Sequence, residues 1–259
     1  MRALWTGALS FGLINIPIRL FSATEDHGLS FNMLHKKDLS PIRFARICKV
    51  DGKEIPYEDI VKGYEYEKGD FVVLTDEDFK RADVRKTKLI DIVDFTYASE
   101  IDPILFEKPY YLEPGKGASK AYVILREALK KSKKVAIAKY VLHNREHIGV
   151  VMPHDNLLIL DQLRYESEIR SPKSLDIPKE AMTTSKEVTM ALKLIEHLTT
   201  HFKPKQYHDT YTEELQKIID EKAHGKKPHK KGKEPKITDL QDIMGMLKKS
   251  LEKHHKKTA

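Results

Sequence analysis

The amino-acid sequence predicts a mainly β fold, an antiparallel barrel or sandwich, with one helix inserted among the strands and helices after them. From residue 5 to about residue 170, short β-rich runs alternate with turn residues such as Asp51-Gly52. After Pro178 the spacing of apolar residues changes from a period of two to a period of about 3.6, which indicates helices. The runs predicted as strands are 13–21, 42–50, 71–74, 89–95, 110–112, 135–142, 149–152 and 157–160.

Three helices are predicted from apolar stripes and capping residues. Residues 118–130 carry Tyr122, Leu125 and Leu129 on one face, and Ser119 is available as a cap. Thr184 and Glu187 form a capping box for a second helix that ends before Pro204, and a third runs from residue 210 to about residue 223. The last two are expected to be arms packed on the body or on a second chain. Their apolar stripes are Val188, Leu192, Ile195 and Phe202, and Tyr211, Leu215, Ile218 and Ile219.

Composition excludes several classes of protein. Of the 259 residues, 40% are hydrophobic and 33% are charged, and no stretch approaches the roughly 18 apolar residues of a membrane span. The apolar N-terminus lacks a small-residue cleavage site and is predicted to be a buried strand, not a signal peptide. Cys48 is the single cysteine, so neither an intrachain disulfide nor a cysteine-based zinc site is expected. A cytoplasmic, nucleoid-associated location fits.

The net charge of +7 is concentrated in the tail. Residues 222–259 hold twelve lysines and four carboxylates, a net charge of +8, which leaves −1 for residues 1–221. A surface for nucleic acid on the body must therefore come from segregating cations on one face.

Residues 35–53 are the most suggestive part of the body, because cations alternate there with Phe44 and Ile47. In an extended hairpin, alternate positions present cations to one side, which suits phosphates. The alternative is a solvated edge strand that its charges protect from aggregation. The candidate phosphate contacts are Lys36, Lys37, Arg43, Arg46 and Lys53, and weaker candidates, which could equally pair with carboxylates, are Lys62, Arg85, Lys86, Lys88 and Arg145.

The tail is predicted to be a basic tether that ends in a short helix. Residues 224–236 contain no large apolar residue and cannot form a core. The helix after them has an apolar stripe but no core of its own, which favours docking into a partner's groove. The tether lysines expected to add salt-sensitive DNA affinity are Lys226, Lys227, Lys230, Lys231 and Lys233, and the docking residues are Ile237, Leu240, Met244, Leu247 and Leu251.

No motif argues for catalysis, and neither a cofactor nor a metal is expected. His143, Glu146 and His147 match the H-x-x-E-H pattern of zinc peptidases, which needs a helix. The flanking residues alternate and are β-branched, so a hairpin turn is predicted at 143–146 instead. Residues 114–119 resemble a phosphate-binding loop in composition but lack the glycine spacing of that motif, so a turn is predicted there.

Seven segments in order resemble the bacterial Ku proteins of non-homologous end joining. They begin with WTGALSFGLINIPIRLFSAT at residues 5–24 and include DGKEIPYEDIVKGYE at 51–65 and IDPILFEKPYYLEP at 101–114. The last, ITDLQDIMGMLKKSLE at 237–252, looks like the element with which such proteins engage their ligase. The remaining segments are 35–48, 119–129 and 163–170.

The resemblance implies a non-enzymatic protein: a homodimeric ring of antiparallel β-barrels, each with an inserted helix, whose basic channel admits a double-stranded DNA end. It also implies an ATP-dependent DNA ligase of the bacterial end-joining type as a partner. The expected parts are a core barrel with its DNA-encircling bridge at 1–175, a helical arm at 176–223 and a lysine-rich tether with a partner-docking helix at 224–259. Some relatives carry a CxxC pair where this chain has Cys48-Lys49-Val50-Asp51, which puts a metal role there in doubt. Two alternatives stay open, a general nucleoid-type DNA-coating protein and a metal hydrolase built on His143, Glu146 and His147.

Overall fold

The computed structural model describes residues 1–82, 88–143, 145–178, 184–225, 245–247 and 250. The chain divides into two compact units, Met1–Pro172 and Lys173–Ala259. The first unit is mainly β and the second is helical. Within the described ranges, no helix has both the length and the apolar character needed to cross a membrane.

Seven strands of the first unit form a closed barrel in the order β1-β2-β6-β9-β8-β7-β5. Neighbouring strands are antiparallel except β1 and β5, which run parallel and close the barrel. A parallel pair needs a long crossover, and here the chain between β2 and β5 supplies it. The strands are β1 (Trp5–Phe11), β2 (Ile14–Ser22), β5 (Leu89–Tyr97), β6 (Phe106–Pro114), β7 (Lys134–Leu142), β8 (Arg145–His154) and β9 (Leu157–Leu163).

The barrel interior is filled by side chains from alternate positions of each strand, as a closed antiparallel sheet requires. On β2, for example, Ile16, Ile18 and Leu20 are buried while the residues between them are exposed. Helix α2 (Ser119–Ser132) adds its buried face to this core through Tyr122, Leu125 and Leu129, so that face is confirmed. A second, smaller cluster joins Ile101, Val135, Val150 and Leu163.

The Tyr122 hydroxyl links α2 to the barrel through two hydrogen bonds. It donates to the carbonyl oxygen of Leu112 at 2.6 Å and accepts from the backbone N–H of Leu158 at 2.6 Å. These two leucines are paired across β6 and β9, so the hydroxyl satisfies two backbone groups at the end of the ladder. Burial raises the pKa of Tyr122, which keeps the phenol protonated as this double role demands.

Replacing this hydroxyl tests the link. Tyr122→Phe leaves a buried carbonyl and a buried N–H without partners, and we expect the free energy of unfolding to fall by about 2 kcal/mol. Urea unfolding measures the change, with Tyr97→Phe as the control at a half-exposed tyrosine. Equal stability of the two variants would contradict the linking role.

Between β2 and β5 the chain leaves the barrel as an extended segment, residues 24–74, which we name the bridge segment. It contains the two-stranded sheet β3 (Lys62–Glu67) and β4 (Asp70–Leu74), and helix α1 (Asp76–Ala82) follows. The second unit contains α3 (Ser185–Leu198) and α4 (Thr210–Ala223). Neither α3 nor α4 has a buried residue.

Several predicted elements are confirmed and others are wrong. The capping box of Thr184 and Glu187 and the bounds of α4 are as predicted. The N-terminal run is two strands, because the chain reverses at Gly12 with φ of +59°. Residues 42–50, predicted as a strand, form no regular strand. The N-cap of α2 is Ala118, which makes no side-chain cap hydrogen bond, whereas Ser119 was predicted as the cap. Helix α3 ends at Leu198, so Phe202 is outside it.

Candidate nucleic-acid interface

The bridge segment is exposed along nearly its whole length. Between residues 24 and 73 no residue is buried, and only Leu29, Cys48 and Ile55 are even partly covered. Large apolar side chains share this exposure, including Phe44 at 81% and Phe31 at 67%. A segment with no core of its own needs another surface to cover these side chains.

Two tight backbone reversals organise the first part of the bridge segment. In one, the N–H of Ile42 donates to the carbonyl of Met33 at 3.1 Å, and Lys36 and Lys37 lie exposed in the turn. In the other, the N–H of Ile55 donates to the carbonyl of Arg46 at 2.7 Å. The predicted hairpin therefore exists, but as two short hairpins in place of one long one.

Hydrogen bonds fix the first turn. The Asp38 carboxylate accepts from the backbone N–H of Ser40 at 3.1 Å, from the Ser40 hydroxyl at 2.7 Å and from His35 Nδ1 at 2.8 Å. The bonds from Ser40, followed by that from His35, lower the pKa of Asp38. Asp38 thus bonds within the turn, and among the described contacts neither Lys36 nor Lys37 forms an ion pair with it.

Three other predicted cations of this part have local partners. Arg43 pairs with Glu54 at 3.2 Å, although its side chain is 83% exposed. The guanidinium of Arg46 lies 5.0 Å from the centre of the Tyr57 ring. Lys53 lies 3.6 Å from Asp51. Exposed pairs of this kind contribute little to stability, so these cations remain available to a polyanion.

The weaker candidates are scattered. The ammonium of Lys62 lies 4.7 Å from the centre of the Phe79 ring, and Lys88 is exposed just before β5. Arg145, the first residue of β8, donates to the carboxylate of Glu168, which follows β9. The other candidates of the tether and the α1–β5 connection lie outside the described residues, namely Arg85, Lys86, Lys226, Lys227, Lys230, Lys231 and Lys233.

The predicted partner-docking helix is described in part. Leu247 lies in helical backbone with residues 245 and 246, and residue 250 is helical as well. The other docking residues, Ile237, Leu240, Met244 and Leu251, lie outside the described residues.

The H-x-x-E-H residues lie on a hairpin, as predicted, and not on a helix. Strand β7 ends at Leu142 and β8 begins at Arg145, while His143 adopts φ of +52° in the turn. His147 is half-buried on β8, where its ring stacks on that of Tyr140 with centres 5.5 Å apart. Among the described side chains, no group of three or more His, Cys, Asp or Glu is placed to hold a metal ion.

His147 belongs to a polar cluster at the end of the barrel. Its Nε2–H donates to the Leu142 carbonyl at 3.3 Å. The Tyr140 hydroxyl donates to Gln162 at 3.3 Å, and the Gln162 amide donates to Glu107 at 3.0 Å. Burial, with a smaller contribution from the Arg145 charge, lowers the pKa of His147. Burial of the ring therefore favours the neutral imidazole, whereas the hydrogen bond to Leu142 and the charge of Glu107 oppose the shift.

This lowered pKa predicts a pH dependence of stability. The unfolded chain binds a proton at His147 near pH 6.5, above the folded value, so acidification favours unfolding and stability falls from pH 7.5 to pH 5.5. We expect His147→Gln to reduce this fall, as measured by urea midpoints at the two pH values. His154→Gln, at an exposed histidine on the same strand, is the control. An unchanged pH dependence in His147→Gln would contradict the prediction.

Sequence reasoning missed a groove of about 660 Å³ between α2 and strands β2 and β6. Its lining comes from five separate parts of the chain, so no local pattern marks it. Two arginines line it, but Arg19 pairs with Glu113 at 2.8 Å and Arg126 with Glu127 at 2.9 Å. Both arginines thus have a carboxylate partner, which makes the groove a weaker candidate for phosphate than the bridge segment.

A closed β-barrel that carries a long, exposed and charged segment between two of its strands defines the class of this protein. The model of the Ku70/Ku80 beta-barrel domain family matches residues 10–190, which include eight of the nine strands, α2 and the whole bridge segment. The chain therefore belongs to the Ku family, as the resemblance indicated.

Curated relatives agree over nearly the full length. The chain is 42% identical over 254 residues to a protein of Opitutus terrae named non-homologous end joining protein Ku. The aligned region covers 97% of this chain and 91% of the relative. Proteins of the same name from Pseudomonas aeruginosa and Bacillus subtilis are 38% and 37% identical, and this chain covers 88% and 82% of their lengths. These similarities support a role in DNA end joining.

Proposed function

We propose that this protein binds the ends of double-stranded DNA without reading sequence, as a homodimeric ring, and recruits a DNA ligase to join them. The observation that carries the proposal is the bridge segment, which combines extended backbone, exposed cations and uncovered apolar side chains in a member of the Ku family. Relatives named for non-homologous end joining support the biological setting. The proposal places the protein at the nucleoid, where its DNA substrate lies.

A second copy of the chain is the partner that the exposed apolar surface favours. Within Met1–Pro172, the uncovered side chains concentrate in the bridge segment, where Phe44 and Val50 are 81% and 95% exposed. Exposed apolar side chains that concentrate in one segment are typical of a surface that binds another protein. In a two-fold dimer each bridge segment covers the other, and two such segments enclose an opening.

Phosphate contact is assigned to the cations of the bridge segment. Extended backbone with cations on exposed turns can follow a duplex without inserting a helix into a groove, so it fixes position and carries no base information. Lys36 and Lys37 are the strongest candidates because they share an exposed turn and neither has an ion-pair partner among the described contacts. Further candidates are Arg43, Arg46, Lys53, Lys62 and Lys88, and the tether lysines add salt-sensitive affinity.

The ring accounts for a preference for DNA ends. A closed loop of protein admits a duplex only from a free terminus, whereas a protein that lies on one side of the duplex binds anywhere along it. End preference therefore separates the proposed function from general DNA coating.

Three DNA substrates test this function at one stated salt concentration. They are a linear duplex, the same duplex with blocked ends, and a closed circle. We expect binding to the last two to be weaker by roughly a hundredfold, because non-specific duplex binding has a Kd of about 10⁻⁴–10⁻⁶ M at physiological salt. Comparable affinity for all three substrates would contradict the proposed ring and would favour general DNA coating as the function.

A further inference from the structure

The greater part of the bridge segment, residues 35–70, consists of two halves with opposite charge. Residues 35–53, the basic half, carry six lysines and arginines against two aspartates, a net charge of +4. Residues 54–70, the acidic half, carry six carboxylates against two lysines, a net charge of −4. The halves are of similar length and meet between Lys53 and Glu54. The segment as a whole is nearly neutral, so its composition alone conceals the separation.

The acidic half is a hairpin that lacks a stable environment of its own. It includes β3 and the start of β4, whose two faces are both exposed, with Tyr64 at 64% and Phe71 at 61%. An isolated two-stranded hairpin is marginal in water. Glu67 and Asp70 are also direct cross-strand neighbours, and a pair of like charges in that position is destabilising.

Whatever covers this hairpin must be both apolar and cationic. Within the described part of the chain, Glu58, Asp59, Glu67 and Asp70 have no ion-pair partner. Duplex DNA carries the wrong charge for this surface. The basic half carries the required combination, since cations alternate there with exposed apolar residues such as Ile42 and Phe44.

Within one chain the two halves touch only around their border, as far as the described contacts extend. There Arg43 meets Glu54 and Arg46 meets Tyr57, while β3 and β4 continue beyond this border with both faces exposed. The two local contacts illustrate which side chains the basic half offers to acidic and aromatic groups. The β3–β4 end of the acidic half therefore needs the cationic and apolar side chains of a second copy's basic half.

We propose that the bridge segments of two copies pair antiparallel, with the basic half of each against the acidic half of the other. A two-fold axis perpendicular to the segments brings residue i near residue j and j near i, so opposite charges meet twice. A parallel pairing would bring like charges together along the whole length. The charge order along the chain thus selects one register and orientation for the homodimer of the proposed function, on which this inference rests.

The pairing divides the cations of the basic half between two tasks. Arg43 and Arg46, which already contact the start of the acidic half, face the partner chain in this pairing and are no longer candidates for phosphate contact. Lys36 and Lys37 lie in the exposed turn at the other end of the basic half and face the duplex. Self-association is then weakened by salt even when DNA is absent, because exposed charge pairs are screened.

Two charge-reversed versions of the full-length chain test the pairing. The first has a reversed acidic half and the second a reversed basic half, and both are checked for native circular dichroism. Sedimentation without DNA measures the dimer dissociation constant of each alone and of an equimolar mixture. The substitutions are Glu58→Lys, Glu67→Lys and Asp70→Lys in the first, and Arg43→Glu, Arg46→Glu and Lys49→Glu in the second.

We expect each version alone to dimerise roughly tenfold more weakly or worse, and the mixture to form a dimer with one copy of each. Only the mixture brings opposite charges together in both contacts, so its recovery separates specific pairing from general damage. Variants that dimerise as the unaltered chain does, or a mixture no better than its parts, would overturn this inference alone. An unaltered chain that is monomeric at the outset would overturn the homodimer of the proposed function as well.

Discussion

Neutralising Lys36 and Lys37 together is expected to weaken binding of a linear duplex roughly a hundredfold at 0.15 M salt. The two lysines occupy one exposed turn, and the neighbouring Asp38 is held by hydrogen bonds inside that turn. In a homodimer the double change Lys36→Gln and Lys37→Gln removes up to four phosphate contacts. Each contact contributes about 0.9 to the slope of log affinity against log salt, so the slope should become shallower by about four.

The slope distinguishes lost phosphate contacts from a damaged fold. Binding is measured on one linear duplex between about 50 and 200 mM salt, the range in which counterion release changes affinity strongly. Lys120→Gln with Lys131→Gln, at two exposed lysines of α2, removes the same charge from another part of the chain and is the control. An unchanged slope in the Lys36 and Lys37 variant would assign the DNA surface elsewhere.

Much of the barrel could be predicted because its signals are local. Alternating apolar residues identify β2 and β7, and the three apolar residues of α2 identify its buried face. The alternation on both sides of residues 143–146 correctly favoured a hairpin over the zinc-peptidase helix. The closure of β1 on β5 in parallel could not be predicted, because the crossover that permits it has no distinctive sequence pattern.

The bridge segment shows why the remainder was harder to predict. Residues 42–50 are β-rich in composition, yet their apolar side chains have no core to pack against within one chain, so no regular strand forms. Strand β3 was not among the predicted strands, although Tyr64 and Tyr66 alternate with Glu65 and Glu67, because every residue of the strand is exposed and it contains no apolar run. The β propensity of a segment depends on the surface that its side chains pack against. For these residues that surface is not part of the same chain's core, so propensity alone does not predict their structure.

For the candidate site, charge composition predicted a cationic segment but not its geometry. The sequence marked residues 35–53 as cationic, and the structure separates the exposed lysine turn from the arginines that face Glu54 and Tyr57. Arg145 was also predicted as a cation for phosphate contact, but it donates to the carboxylate of Glu168, which is distant in the sequence. Which cations meet a carboxylate depends on tertiary contacts that charge counting does not contain.

Replacing Leu247 by Asp is expected to abolish ligase stimulation while DNA end binding stays within about twofold of the unaltered chain. Leu247 lies in the helical part of the tail, on the predicted stripe with Leu240, Met244 and Leu251. A short amphipathic helix docks through three or four apolar anchors, and a carboxylate placed in such a groove loses its hydration without gaining a partner. The cost of burying that charge, several kcal/mol, exceeds what the remaining anchors of a short helix contribute.

Two measurements on the same variant separate docking from folding. Ligation of a linear duplex by an ATP-dependent ligase of the bacterial end-joining type reports stimulation, and a gel shift on that duplex reports end binding. Ser250→Asp, which places the same charge about a quarter turn away from the stripe, should retain most of the stimulation. Loss of both activities in Leu247→Asp would mean that the terminal helix belongs to the fold, because a tethered docking element can lose its partner without affecting the DNA-binding body.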